Sequence, residues 1–302
     1  MELEPLSVPV PGGRLAAVRY RSPTRPRPPA SAAPVVVAAH GITSSSRAWV
    51  AVARALGESA QLLAVDLRGR GESRALPPPY GLDAHVDDLL ALADHLGLSR
   101  LLLVGHSLGA YAVARLGELH PDRVAATVLV DGGLPIPGSQ GSDPQAFTQA
   151  LLGPALARLE LTFPSRDAYV EWWSEHPALN RGQVRREDIR LYAEHDLVGE
   201  PPGLRPGLSA EAIRADAEDL VRLAGSATHS RVPATLLVAP RGLQNDPDRP
   251  MQPLALAEAW AAGAPARRRA RLVDDVNHYT ITLGQGAPEV AAAIRDRASE
   301  VG

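Results

Sequence analysis

The chain has 302 residues, enough to bury a full core as one large α/β domain or as two smaller domains. Its net charge of −3 gives no electrostatic basis for binding nucleic acid or an anionic membrane surface. The chain contains no cysteine, which excludes disulfides, cysteine-ligated metal centres and a thiolate nucleophile.

The N-terminal residues 1–5 are acidic and no apolar segment follows them, so we expect no signal peptide. No stretch approaches the ~20 apolar residues that a membrane-spanning helix needs. No spacing typical of a histidine-ligated metal site occurs, and we expect neither a metal nor another cofactor. We expect a cytoplasmic monomer or homodimer, without nucleic-acid or membrane partners.

The predicted elements follow a clear order along the chain. Two strand-like segments, 3–10 and 15–20, flank Pro11-Gly12-Gly13 and predict a β-hairpin. After a Pro- and Arg-rich loop over 23–34, apolar strands alternate with helices. The strands are predicted at 35–39, 61–65, 101–105, 124–130, 234–239 and 271–273, and the helices at 48–56, 82–96, 107–119, 251–262 and 288–299. This alternation predicts a mostly parallel sheet with helices on both faces.

The alternation stops between Asp131 and Val232, where no convincing strand is predicted. Candidate helices lie at 144–159, 167–175, 187–196 and 210–223. We expect this part to be a helical cap (residues 134–230) over the carboxyl ends of the strands, inserted into a core domain (1–133 and 231–302). Aromatic side chains are common in ligand pockets, although they also fill the space between a cap and its core. The aromatic pocket candidates are Phe147, Tyr169, Trp172 and Trp173.

The strongest local motif is Gly-x-Ser-x-Gly over residues 105–109, centred on Ser107. It follows an apolar strand and precedes a helix, the context in which such a serine lies on a sharp strand-to-helix turn. Only small neighbours let the strand and the helix pass so closely, and Gly105 and Gly109 meet this need. We expect Ser107 to be a nucleophile presented at the start of a helix.

A serine hydroxyl needs a base to take its proton, and the base needs a third group to orient it. Of the nine histidines, His278 is the best candidate because it lies between the last predicted strand and the final helix. A loop from that strand end can reach Ser107. The side chain of His106 should point away from the serine hydroxyl, so we expect it to have a structural role.

When Ser107 attacks a carbonyl group, negative charge develops on the carbonyl oxygen. Backbone N–H donors are needed to stabilise this charge. The residue after the nucleophile, Leu108, can supply one donor. The second is expected from the loop after the first parallel strand, where Ile42 is the candidate and Gly41 permits the turn. We expect His40 to support this loop through hydrogen bonds and to carry no proton in the reaction.

Three motifs together resemble the α/β-hydrolase superfamily: His-Gly at 40–41, Asp-x-Arg-Gly-x-Gly-x-Ser at 66–73 and the serine motif at 105–109. The chain is most similar to the branch with a helical cap, which holds esterases, lactonases, thioesterases, C–C bond hydrolases, epoxide hydrolases and haloalkane dehalogenases. The resemblance implies the α/β-hydrolase fold, with an inserted cap. The epoxide-hydrolase and dehalogenase branches use an aspartate nucleophile, so Ser107 argues against both.

The position of the acidic residue that would orient His278 departs from the superfamily pattern. That acid usually follows the strand predicted here at 234–239, in a short Gly-x-x-Asp turn, whereas here the carboxylate of Asp246 comes late. The fold also accommodates an acid after the preceding strand, where Asp131 is followed by two glycines. We favour Asp131 because its position needs no extended loop, and Asp246 remains the alternative.

Together the residues and the resemblance predict a cofactor-independent serine hydrolase. Its substrate is expected to be an ester, lactone or thioester of a mostly apolar small molecule, cleaved through an acyl-enzyme. The same scaffold could instead support C–C bond cleavage, lyase chemistry or acyl transfer such as cyclisation. A ligand-binding protein without turnover is the alternative from another class.

Overall fold

The structure is a computed structural model that describes residues 1–21, 33–139 and 143–301. The predicted loop over 23–34 therefore lies almost entirely outside the described residues. The strands are β1 (Glu2–Val10), β2 (Gly13–Arg21), β3 (Val35–Ala39), β4 (Gln61–Val65), β5 (Leu101–His106), β6 (Val124–Val130), β7 (Leu197–Val198), β8 (Arg205–Pro206), β9 (Ala234–Val238) and β10 (Arg268–Leu272). The helices are α1 (Val50–Leu56), α2 (Leu82–His95), α3 (Leu108–Leu119), α4 (Pro144–Arg158), α5 (Arg166–Ser174), α6 (Arg186–Glu194), α7 (Ala210–Arg222), α8 (Ser226–His229), α9 (Leu254–Ala262), α10 (Thr280–Leu283) and α11 (Ala287–Val301).

Eight strands form one sheet in the order β1-β2-β4-β3-β5-β6-β9-β10. The hairpin β1–β2 is antiparallel and joins β4 in the antiparallel sense, whereas all pairs from β4 to β10 are parallel. The predicted fold class, a mostly parallel sheet, is confirmed. In such a sheet the carboxyl ends of the parallel strands meet at one edge, where ligands bind.

Both faces of this sheet are covered by helices. Val37 and Ala39 of β3 belong to a buried cluster with apolar residues of α2, α3 and α9. Val36 and Ala38, which point to the other face, belong to a cluster with residues of α1 and α11. Burial on both faces explains why these strands are continuously apolar and carry no polar alternation.

The segment between β6 and β9 contains α4 to α8, and its four longer helices lie close to their predicted positions. The expectation that it holds no strand was wrong in one detail. The two-residue strands β7 and β8 pair in the antiparallel sense, and Phe163 bridges to Leu204 beside them. Strands this short have too few residues to show a period of two. The division into a core and a cap stays a prediction.

Within the described residues, no helix is both long enough and apolar enough to span a membrane.

A buried ionic cluster connects α7 to the loop after β4. The Arg70 guanidinium is fully buried, and its Nη1 lies 2.5 Å from Oδ2 of Asp216 in α7. The other carboxylate oxygen accepts hydrogen bonds from the Gly81 N–H at 3.1 Å and from the His85 Nε2 at 3.0 Å. Burial alone would raise the pKa of Asp216, but the charges of Arg70 and His85 outweigh it and lower that pKa. The carboxylate is therefore ionised and ties α7 to two other segments, the loop after β4 and the start of α2.

We predict that Asp216→Ala lowers the free energy of unfolding by about 3–5 kcal/mol, because it leaves the Arg70 charge buried without a partner. The double variant Arg70→Met/Asp216→Leu should lose much less, since the Arg70 charge is removed together with its partner. Urea unfolding followed by circular dichroism measures both changes. The control is Glu194→Ala, which removes an exposed pair with Arg190 and should cost less than about 1 kcal/mol. Equal losses for Asp216→Ala and Glu194→Ala would contradict this account.

Candidate active site

Ser107 occupies a strained turn between β5 and α3. Its backbone has φ 53° and ψ −122°, which a residue with a side chain rarely adopts. A Cβ added to Gly105 would lie 2.2 Å from the carbonyl oxygen of Gly109, and one added to Gly109 would lie 2.0 Å from that of Ala39. No side chain fits at either position. The two glycines of the motif therefore permit the close crossing that presents Ser107 at the strand end.

His278 lies in the loop between β10 and α10 and is held through its main chain. Its N–H donates to the Arg241 carbonyl at 3.1 Å. Its own carbonyl accepts a hydrogen bond from Nε2 of His106 at 2.8 Å. Burial strongly lowers the pKa of His106, with a further contribution from the neighbouring His278, so His106 is a neutral donor. These contacts fix the position of the loop.

Asp131 follows β6 with a positive φ of 46° and is fully buried. Its Oδ2 lies 2.7 Å from Nδ1 of His278, and its Oδ1 accepts the Ala239 N–H at 3.1 Å. The Asp131 N–H donates to the Leu237 carbonyl at 2.7 Å. The carboxylate is thus held between β6 and β9 and aimed at the imidazole ring.

Asp246 lies apart from this pair. Its carboxylate accepts the N–H of Asp248 at 2.9 Å and is 3.8 Å from the Arg249 guanidinium. Its main-chain carbonyl accepts the N–H of Gly242, which closes a local turn. Of the two aspartates considered from the sequence, Asp131 is the one that contacts His278 in the described structure.

The loop after β3 is held by two buried side chains, the imidazole of His40 and the guanidinium of Arg70. His40 donates from Nδ1 to the Gly41 carbonyl at 2.7 Å and accepts the Leu67 N–H at Nε2, at 3.0 Å. Burial lowers the pKa of His40 to about 4, so the ring is neutral and can make both contacts. In a trans peptide the N–H points opposite to the carbonyl, so the Gly41 carbonyl fixes the direction of the Ile42 N–H. Arg70 adds a hydrogen bond from Nε to the Ile42 carbonyl at 2.9 Å.

Both candidate oxyanion amides are available at this edge. In the described part of the chain, the Ile42 N–H donates to no backbone or side-chain acceptor. Leu108 is the first residue of α3, so its N–H has no partner within the helix. Ile42 also lines the cavity that contains Ser107.

A cavity, here called the inner cavity, contains Ser107, Asp131 and His278 in its wall. Most of the remaining wall is apolar. Those apolar residues include Tyr111, Ile136, Leu152, Leu220, Leu243 and Met251. The inner cavity therefore suits a mostly apolar group next to Ser107.

A second cavity, here called the outer cavity, contains Trp172 and Trp173 in its wall. The other two aromatic pocket candidates line neither cavity. Tyr169 is fully buried and accepts a hydrogen bond from Arg158. Phe147 packs against the buried apolar cluster that contains Val37 and Ala39. Whether an aromatic residue lines a cavity depends on the side of its helix from which it projects. The sequence does not show which side of a helix faces a cavity.

Two residues that support the site, Asn277 and Arg70, were not identified from the sequence. Asn277 caps the turn after His278, since its Oδ1 accepts the N–H groups of Tyr279 and Thr280. Its amide also donates to the Ala178 carbonyl at 2.8 Å, which joins the loop to the helical segment. An Asn three residues before a Thr-led helix is a capping signal that could have been found. No local sequence pattern indicated that the Arg70 side chain contacts the Ile42 carbonyl.

No group of histidine and carboxylate side chains in the described ranges is arranged to hold a metal ion.

Comparison with known proteins gives matches of three kinds. The family model for the alpha/beta hydrolase fold matches residues 34–180. RutD of Caulobacter segnis, whose name marks it as a carbamate hydrolase, is 32% identical over 178 residues, which cover 58% of this chain and 62% of RutD. Lipase LipV of Mycobacterium tuberculosis is 37% identical over 128 residues, or 41% of this chain and 48% of LipV. The chain thus spans about half to three fifths of these relatives.

Among solved structures, E-2-(acetamidomethylene)succinate hydrolase superposes with a TM-score of 0.76 at 22% identity, covering 99% of this chain and 100% of that one. At this level of identity the likeness concerns the fold. With the sheet order and the family match, it confirms the resemblance seen in the motifs: the chain has the α/β-hydrolase fold and resembles that superfamily.

Proposed function

We propose that this protein is a serine hydrolase that cleaves an ester, lactone or thioester of a mostly apolar small molecule through an acyl-enzyme. The observation that carries the proposal is the buried His278–Asp131 pair in the wall of the cavity that contains Ser107. Ser107 follows β5, Asp131 follows the neighbouring β6, and His278 follows β10. The hydrolase names of the two relatives agree with this reaction class.

The hydrogen bond to Asp131 determines which ring nitrogen of His278 can take the serine proton. Nδ1 of His278 donates to Asp131, so Nε2 is the nitrogen left to take the Ser107 proton. Ser107 Oγ then attacks the substrate carbonyl carbon. His278 passes the proton to the departing group, and the Asp131 carboxylate stabilises the imidazolium in between. A water molecule, activated by the same base, hydrolyses the acyl-enzyme.

The charge that develops on the carbonyl oxygen needs donors that are already in place. The N–H groups of Ile42 and Leu108 are these donors in our proposal. His40 and Arg70 position the first through the Gly41 and Ile42 carbonyls, and the start of α3 positions the second. Because neither His40 nor Arg70 reaches the carbonyl, both are positioning residues.

We predict that Ser107→Ala lowers kcat/KM for 4-nitrophenyl butyrate by about 10⁴-fold or more, because it removes the nucleophile. Labelling by a fluorophosphonate should disappear as well. The control is Ser174→Ala, a hydroxyl on α5 that binds the Val170 carbonyl and lines neither cavity. Labelling of the Ser107→Ala protein at the wild-type rate would refute the proposal.

The acid is tested by a matched pair of substitutions. Asp131→Asn keeps an oxygen for the Ala239 N–H but loses the charge that orients His278, so we expect kcat to fall by about 10³–10⁴-fold. Asp246→Asn should change kcat for 4-nitrophenyl butyrate far less, by under about tenfold, because Asp246 lines the outer cavity but does not contact His278. Circular dichroism confirms that both variants fold. A larger loss for Asp246→Asn than for Asp131→Asn would reverse the assignment.

Product analysis separates hydrolysis from the other reactions of this scaffold. Hydrolysis gives the free acid, whereas acyl transfer gives a new ester or amide when a competing nucleophile is supplied. The substrate panel should include a carbamate, since RutD is named for that activity. A carbamate carbonyl can be attacked by the same serine. Detection of the free acid as the main product supports the proposal.

A further inference from the structure

We propose that the outer cavity binds the leaving-group half of the substrate, and that this half is an uncharged aromatic ring that carries a hydrogen-bond acceptor. The proposal rests on the proposed function of Ser107 and His278. It defines a binding site next to the reaction centre and the chemistry of the ligand in it.

The two cavities share part of their walls. Ala155, Leu243, Met251 and Tyr279 line both the inner and the outer cavity. The two cavities are thus adjacent, and in our proposal a substrate with its carbonyl carbon at Ser107 extends past these residues into the outer cavity.

The position of Tyr279 favours the leaving-group half of the substrate as the part that extends there. In the proposed mechanism His278 donates a proton to the departing group, so that group must lie beside the imidazole. Tyr279 directly follows His278, and the two ring centroids are 5.9 Å apart. The outer cavity therefore has the residue next to the proposed proton donor in its wall, and we place the leaving group there.

The wall chemistry favours an aromatic ring. Trp172, Trp173, His176 and Tyr279 all line the outer cavity. The centroid of the His176 ring lies 6.0 Å from that of Trp172 and 5.4 Å from that of Tyr279, and the rings are steeply inclined to each other. Such a set offers both ring faces and ring edges to a planar ligand, the arrangement in which aromatic pairs attract each other.

His176 supplies a defined donor. Its Nδ1 accepts the Ala178 N–H at 3.2 Å, so the ring hydrogen is on Nε2. Burial, aided by the Arg158 charge, lowers the pKa of His176 to about 4, which keeps the ring neutral. A neutral N–H donor in an aromatic wall suits a carbonyl, ether or similar acceptor on the ligand.

The cations of the wall do not favour an anionic ligand. Arg158 is already paired with Asp196 at 2.7 Å, donates to the Thr43 carbonyl at 3.0 Å and lies over the Trp173 ring. Arg249 is 84% exposed at the rim, beside Asp246. A carboxylate in the cavity would have to compete with Asp196 for the Arg158 guanidinium, and this is why we infer an uncharged ring.

Two esters of one acid test the aromatic preference. Benzyl acetate and cyclohexylmethyl acetate have leaving alcohols of similar acidity and size, but only one carries an aromatic ring. We expect the wild-type protein to prefer benzyl acetate by about five- to tenfold in kcat/KM, the size of one good aromatic contact. Trp172→Leu should remove most of this preference. The control Phe147→Leu changes an aromatic residue that lines neither cavity and should keep it.

A third ester tests the donor. In the wild-type protein, 4-acetylbenzyl acetate should react about fivefold faster than benzyl acetate, because its carbonyl can accept the His176 hydrogen. His176→Phe should reduce this gain to the electronic effect of the acetyl group, which makes the leaving alcohol slightly more acidic, while it retains the preference for benzyl over cyclohexylmethyl.

Binding to the Ser107→Ala protein, followed by tryptophan fluorescence, separates this proposal from the proposed function. Tighter binding of 4-acetylbenzyl acetate than of cyclohexylmethyl acetate, weakened by Trp172→Leu, supports the outer-cavity site even if no ester is turned over. Equal binding, or turnover without an aromatic preference, would overturn it.

Discussion

The close approach of Gly109 to the carbonyl of Ala39 sets the geometry on which the rest of this site depends. A side chain at Gly109 would collide with the main chain of β3, so α3 can cross β3 this closely only with glycine there. The crossing forces Ser107 to a positive φ, and its N–H donates to the Val130 carbonyl at the end of β6. One packing constraint thus places the serine beside the strand end that carries Asp131.

Buried polar groups then hold the loops that rise from this edge. Asp131 is kept by the Ala239 N–H, the His278 loop by His106, and the Ile42 loop by His40 and Arg70. Each contact satisfies a group that would be costly to bury alone. Arg70 also pairs with Asp216 of α7, so the helical segment and the Ile42 loop share one ionic cluster.

The sequence was informative where physical periodicity or local strain leaves a pattern. Apolar strands buried on both faces, and the glycines around Ser107, were enough to predict the sheet and the serine turn. The contact between His278 and Asp131 joins residues 147 positions apart, and the sequence left Asp246 as an alternative because spatial pairing has no local signal. The same reason explains why Trp172 and Trp173 line a cavity while Tyr169 is buried beside them. The catalytic roles themselves stay a proposal.

A crystal structure of the protein after reaction with a fluorophosphonate would test the central claim most directly, since the adduct mimics the tetrahedral intermediate. Our account predicts a phosphorus atom bonded to Ser107 Oγ, with its oxygen about 2.7–3.1 Å from the amide nitrogens of both Ile42 and Leu108. An adduct on another residue, or an oxygen directed away from both amides, would contradict it.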